Sequence, residues 1–288
     1  MPLEMVPLGE GRFTVRQSFD SPTVYLDHWA LMTFAEDSSL QDRFVNAISS
    51  KHGTLLVSSI SLGDLSGPSD ARHALGVASM LDRLMPHVYL TDCGHDKILE
   101  RELLEPDNRR RFWPTADLPQ LKALGEVAVT SSLATALQPL VLSTHIHRDH
   151  ARSATLDMIS MMRDGFQAAK SDPAYVRRVK AARPSNARPR TLLIMGELMR
   201  GFNLDPGARL SDNDLMDFLH AAVASNCCDF ALLDGPWVSR VDEMVRRVAR
   251  EGVEMSIAKC YSRTRHGGVE GFLQDLQAFT VPDAPAVP

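Results

Sequence analysis

Short, unbroken apolar runs alternate along this chain with longer segments of helical spacing. Three runs read as buried strands: TVYL at 23–26, TLLVSS at 54–59 and FALL at 230–233. A fourth, HVYLT around Val88, has the same character. Runs this short, apolar throughout and rich in Val, Leu and Tyr, fit strands covered on both faces. Each lies beside a segment whose apolar residues recur every three or four positions. Such alternation predicts a parallel sheet with crossover helices. The expected fold class is therefore α/β, three layers α/β/α around a central parallel sheet, spanning about residues 20–265.

The helix before the third run has the clearest signals. Ser211 reads as its N-cap, and Asp212 and Asp214 fall in the first turn, where the helix dipole favours acids. Leu215, Phe218, Leu219 and Ala222 form a stripe at helical spacing, while Asp214 and Asp217 share another face with His220 three residues on. Residues 95–205 are mostly helical in pattern and are read as a large helical insertion. The tail at 280–288, rich in Pro and Ala, is expected to be disordered.

Acidic residues recur at the ends of the predicted strands. Asp27 directly follows the first run and Asp234 the run FALL, while Asp64 lies in ISLGDL on the first turns of the helix after the second. Ligands of open parallel sheets collect outside the carboxyl ends of the strands. Any one Asp after a strand is ordinarily a turn former or helix cap. Together with Asp217 they form a set of hard oxygen donors suited to Mg²⁺ or Mn²⁺, and a cation offsets their mutual repulsion. Asp214, His220 and Asp229 are secondary candidates for the same site.

These blocks resemble the PIN-domain ribonuclease superfamily. VYLDHW is similar to its opening strand and first acid. LLVSSISLGDL resembles its second strand and acid-bearing helix, with Asp64 where the family usually carries Glu. DFLHAAVASNCCDFALLDGPW resembles its closing helix–strand unit, with Asp217 and Asp234 in the acidic places. The resemblance covers about a third of the chain, in three blocks in the right order. Trp29 departs from the Asn, Ser or Thr that the family often places two residues after its first acid. The resemblance implies a PIN-like fold, Asp27, Asp64, Asp217 and Asp234 as catalytic metal ligands, and metal-assisted hydrolysis of RNA. A catalytically silent PIN-like module that binds RNA or protein is the alternative within the same fold. The sequence leaves open an antitoxin or other protein partner and the oligomeric state.

A competing motif is H-x-H-x-D-H, formed by His145, His147, Asp149 and His150 in STHIHRDHARS. Its spacing resembles the first metal motif of the metallo-β-lactamase superfamily, which implies a Zn²⁺-dependent hydrolase. The residues that follow, ARSATLDMISMM, keep helical spacing, so an exposed helix start is the plainer reading.

Charge and composition add bounds. Arg177, Arg178, Lys180, Arg183, Arg188 and Arg190 fall in one stretch without an acid, a candidate nucleic-acid-binding stripe. Net charge is −5 and hydrophobic residues make up 44%, as in ordinary globular chains. The most apolar window, 123–143, is broken by Glu126, Gln138 and Pro139, so a buried helix is expected and no membrane span. No secretory leader is read at the start. The four cysteines form no C-x-x-C pair, which together with the missing leader predicts a reducing, cytoplasmic setting.

Overall fold

The strands expected at 23–26, 54–59, near Val88 and at 230–233 all form, and a fifth, Lys259–Tyr261, joins them in one parallel sheet. The computed structural model describes residues 3–9, 12–66, 71–105, 107, 111–130 and 132–280. The tail expected to be disordered lies, after Thr280, outside these residues. A hairpin of β1 (Leu3–Gly9) and β2 (Arg12–Gln17) precedes β3 (Thr23–Leu26). Helices α1 (His28–Glu36) and α2 (Ser38–Ser50) lead to β4 (Thr54–Ser58). Next come α3 (Ser59–Ser66), α4 (Ala71–Leu84) and β5 (Val88–Thr91). Then follow α5 (His95–Leu104), α6 (Leu118–Thr130), α7 (Leu137–Ile146) and α8 (Arg148–Ser171). They continue with α9 (Pro173–Ala181), α10 (Arg190–Leu198), α11 (Arg200–Leu204) and α12 (Asp212–Cys227). The last elements are β6 (Phe230–Leu232), α13 (Gly235–Arg250), β7 (Lys259–Tyr261) and α14 (Gly268–Ala278).

The sheet order is β5-β4-β3-β6-β7. The chain spreads from β3 through β4 to β5, then returns to lay β6 and β7 on the other side of β3. That reversal leaves a crevice at the carboxyl ends of β3 and β6, where open α/β sheets bind ligands. Side chains alternate across the pleat and sort between two helical layers. Val24, Leu26, Leu55, Val57, Val88 and Leu90 join one core with α1, α2, α4, α6 and α7. Tyr25, Leu56, Tyr89 and Ala231 join the other with α10, α12 and α13. The fold is thus a three-layer α/β/α arrangement. Helices of the 95–205 stretch are shared between the layers: Leu121, Leu124, Leu137 and Leu140 serve the first core, and Ile98, Ile159, Leu193 and Ile194 the second.

The apolar window at 123–143 divides between α6 and α7. No single helix among the described residues is long and apolar enough to cross a membrane.

Helix α12 starts as its sequence predicts. The Asp214 amide donates to Ser211 Oγ at 3.1 Å and the Ser211 amide to Asp214 Oδ2 at 2.8 Å, a reciprocal cap. From Phe218 to Cys227 every residue is buried, because the sheet, α8, α10 and α13 enclose the helix. A link of two residues joins α12 to β6, so the helix runs back along the strand. Its first turns therefore lie at the carboxyl edge, which is how Asp217 reaches the crevice.

Candidate metal centre

Asp27, Asp217 and Asp234 come together at that crevice, with one carboxylate oxygen from each lying within 4.8 Å of the others. Asp27 caps α1, its Oδ1 accepting from the His28 amide at 2.7 Å. Its own amide donates to Leu232 O at 3.0 Å, which ties the ends of β3 and β6 together. Asp234 is the N-cap residue of α13 by backbone geometry, yet its side chain makes no capping hydrogen bond. Asp234 is an exposed residue, Asp27 is 5% exposed, and Asp217 is intermediate. The three acids grade from the protein interior to solvent.

Burial and crowding act on Asp217 and Asp27 in the same direction. Asp217 is pushed up to about 7, first by loss of hydration and then by the charges of Asp27 and Asp234, against a hydrogen bond from the Trp237 side chain. Asp27 is raised too, chiefly by burial, with Asp234 and Asp64 adding to it while His220 and the His28 amide pull the other way. A divalent cation would relieve that repulsion. Mg²⁺ takes oxygen ligands at about 2.1 Å, so two of them stand at most about 4.2 Å apart. Three oxygens within 4.8 Å of one another need only small side-chain movements to share one ion. The donor set, all carboxylate oxygen, fits Mg²⁺ or Mn²⁺ better than Zn²⁺.

Asp64 is not a member of this close group, contrary to its expected place as a fourth direct ligand. It accepts from His220 Nε2 at 3.1 Å, while still contributing charge at Asp27. His220, on α12, is 1% exposed and sits at the centre of a buried polar chain. Its Nδ1 is hydrogen-bonded to Tyr25 Oη. Tyr25 Oη also meets Ser58 Oγ and Ser61 Oγ, each at 3.1 Å, and the two serines meet each other at 2.8 Å. Burial pushes the Tyr25 hydroxyl well above its ordinary value, so it stays protonated and is available as a donor. Burial alone would lower His220, but its bond to Asp64 and the charges of Asp27, Asp64 and Asp217 raise it. The imidazole is thereby held with Nε2 toward Asp64.

Other expected site residues lie elsewhere. Asp214 closes the α12 cap. Asp229 lies at the amino end of β6, the edge opposite the crevice. There it accepts from Ser21 Oγ, the Thr23 amide and Thr23 Oγ1, and pairs with Arg111 at 2.5 Å. Trp29 packs into the core on the other side of the sheet, with Arg263 over its ring at 5.0 Å.

His145 is buried near the end of α7, whereas His147 and Asp149, around the start of α8, are exposed. The side chain of His150 lies outside the described residues. Among the described residues no metal-ligating group forms from His145, His147 and Asp149; only Asp27, Asp217 and Asp234 assemble. The motif instead straddles the α7–α8 junction, as an ordinary helix start.

The basic stretch is divided. Arg190 is 1% exposed, donating to Asn226 Oδ1 at 2.8 Å and to Ser256 O at 2.5 Å, so it is a buried structural cation, not a surface contact. Arg178 pairs with Asp172 at 3.8 Å. Arg177, Lys180, Arg183 and Arg188 are exposed.

Tyr25, Ser58, Ser61 and Trp237 are site neighbours that the sequence reading missed. Strand periodicity carried a signal for one of them, since Tyr25 and Asp27 are two residues apart and share a face. Comparisons with protein-family models, curated proteins and solved structures returned no match, so the chemistry of the site rests on its own geometry.

Proposed function

We propose that this chain is a divalent-cation-dependent endoribonuclease that hydrolyses RNA phosphodiester bonds at Asp27, Asp217 and Asp234. One observation carries this reading: Asp27 meets Asp217 and Asp234, 190 and 207 residues further along the chain, within 4.8 Å at the crevice of a parallel sheet. Capping α1 engages only Asp27, and no capping bond engages Asp234, so their shared charge repulsion is left for a cation to offset. A bound Mg²⁺ or Mn²⁺ would acidify a water molecule and offset charge on the phosphate. Asp27, fixed by its bond to the His28 amide, supplies a rigid wall of the site. Asp234, exposed and without capping duty, presents its oxygens on the side where substrate enters. Asp64, oriented by His220, adds negative charge behind Asp27. RNA as the substrate follows from the likeness of VYLD, ISLGDL and FALLD to PIN-domain blocks.

The test is cleavage of labelled single-stranded RNA by purified protein with Mg²⁺ or Mn²⁺. Asp27→Asn should abolish cleavage, whereas His147→Ala should leave it intact. Activity that survives Asp27→Asn but disappears with His147→Ala would overturn the assignment. Binding without cleavage would mark the chain as a silent module.

A further inference from the structure

We propose that a basic groove at the far end of α13 holds the phosphate backbone of the same single-stranded RNA, several nucleotides from the bond to be cut. The inference rests on the nuclease reading for its substrate but on separate residues for its site. The groove, about 530 Å³, is lined by Lys180, Arg183, Arg200, Arg247, Arg250 and Glu251. Only Lys180 and Arg183 belong to the basic stretch visible in the sequence. The fold adds Arg200 from the start of α11 and Arg247 and Arg250 from the last turn of α13.

Two of these guanidinium groups are held in place. Arg200 donates to Lys180 O at 3.0 Å and also to Val179 O, at the end of α9. Arg247 donates to Glu197 Oε2 at 2.6 Å and to Ala182 O at 3.4 Å. Burial lowers Arg200, and the Arg247 charge lowers it further, so the two cations crowd the same space. Glu197 and Glu251 are the carboxylates that pair there, the second with Arg183 at 3.6 Å. Glu243 also acts on Arg200 and Arg247, so five cations face three anions and the concave surface keeps a positive excess. Lys180 and Arg250 have no ion-pair partner among the described residues.

The position of the groove selects a strand over a free anion. Helix α13 begins directly after Asp234 and ends beside Arg250. At 1.5 Å per residue, its span from the acids to Arg247 and Arg250 is about 20 Å. A stacked strand advances about 3.4 Å per nucleotide, so about six nucleotides bridge the two places. Between the two places Arg240 lies over the Phe202 ring at 3.9 Å, with the charges of Asp214 and Glu243 acting on it.

The experiment uses oligouridine and protein carrying Asp27→Asn, so that the strand stays whole, with Mg²⁺ present and fluorescence anisotropy as the readout. For a strand of about 12 nucleotides, Lys180→Glu/Arg250→Glu should weaken binding about tenfold or more. The slope of log affinity against log salt should fall by about 1.4, at about 0.7 per lost phosphate contact. A trinucleotide, too short to span the helix, should bind the parent far more weakly than the long strand does. Lys122→Glu, exposed on α6 in the opposite helical layer, should leave affinity for the long strand unchanged. If charge reversal disturbs the fold, Lys180→Gln/Arg250→Gln supports the same comparison. Unchanged affinity of the double variant for the long strand overturns the proposal. So does inorganic phosphate that binds the groove as tightly as the strand does. Groove-dependent binding without RNA cleavage by the unsubstituted protein would remove the nuclease reading and leave the groove standing.

Discussion

Asp217→Asn is the sharpest test of the acidic centre, because it separates the cost of the site from its use. In the folded protein Asp217 keeps its proton up to about pH 7, against an ordinary value of 3.8. Between those two pH values the folded state binds more protons than the unfolded chain, so stability falls as pH rises through that window. Above about pH 7 the whole penalty is present, and below about pH 4 it is gone. At 1.36 kcal/mol per pH unit it comes to about 4 kcal/mol, and solvent access to the half-buried carboxyl reduces that to about 2 kcal/mol. Asparagine keeps an oxygen for the Trp237 side chain but carries no charge. Without divalent cation at pH 8, Asp217→Asn should therefore be more stable than the parent by about 2 kcal/mol, or roughly 4 °C or more in Tm. At pH 4 the two should melt together. Saturating Mg²⁺ should close or reverse the gap, because the parent gains about 2.7 kcal/mol at a hundred times Kd. Thermal unfolding at both pH values, in chelator and in Mg²⁺, measures all of this. A variant less stable than the parent at pH 8 in chelator would refute the reasoning. A gap of the same size at pH 4 and pH 8 would refute it equally.

Two further outcomes follow from buried polar groups. Tyr25→Phe removes the hydroxyl that joins Ser58, Ser61 and His220, and leaves those groups short of a partner. Denaturant unfolding should show a loss of about 1–3 kcal/mol, and the nitrogen NMR shifts of His220 should report a changed tautomer balance; an unchanged imidazole would argue against the positioning role. Arg190→Met leaves Asn226 Oδ1 and Ser256 O short of a donor and should cost about 1–3 kcal/mol. RNA affinity per folded molecule should not change, and a loss of affinity with normal stability would return Arg190 to the binding surface.

The parts of the fold that local pattern determines were legible in the sequence. TVYL and FAL are apolar throughout because both faces of the sheet are covered, and the acid after each is fixed by chain order alone. Asp217 was legible through helix spacing from the Ser211 cap. Asp64 stands outside the close group of three acids. Its helix was read rightly, but whether it touches an ion or an imidazole depends on the packing of α12 against β3. Tyr25, Ser58, Ser61 and His220 form a chain only after that packing, so no local spacing announces it. The hairpin of β1 and β2 was missed because Pro7 interrupts its apolar pattern, and β7 because KCY is three residues long. The basic groove was half visible: Lys180 and Arg183 lie close in sequence, but Arg200, Arg247 and Arg250 arrive from other helices. Arg190 shows the opposite error, a cation whose neighbours in sequence suggested exposure and whose neighbours in space bury it.

The pairing of β3 with β6 also has a consequence for how the chain folds. Thr23 and Asp229, which hydrogen-bond at the amino end of that pair, are 206 residues apart. Closing so long a loop late is the expectation for non-local strand pairing, which slows folding. Asp27 cannot meet Asp234 until this closure is complete. The arrival of cation affinity during refolding should therefore coincide with the last step of assembly, making the ion a timer for the whole molecule.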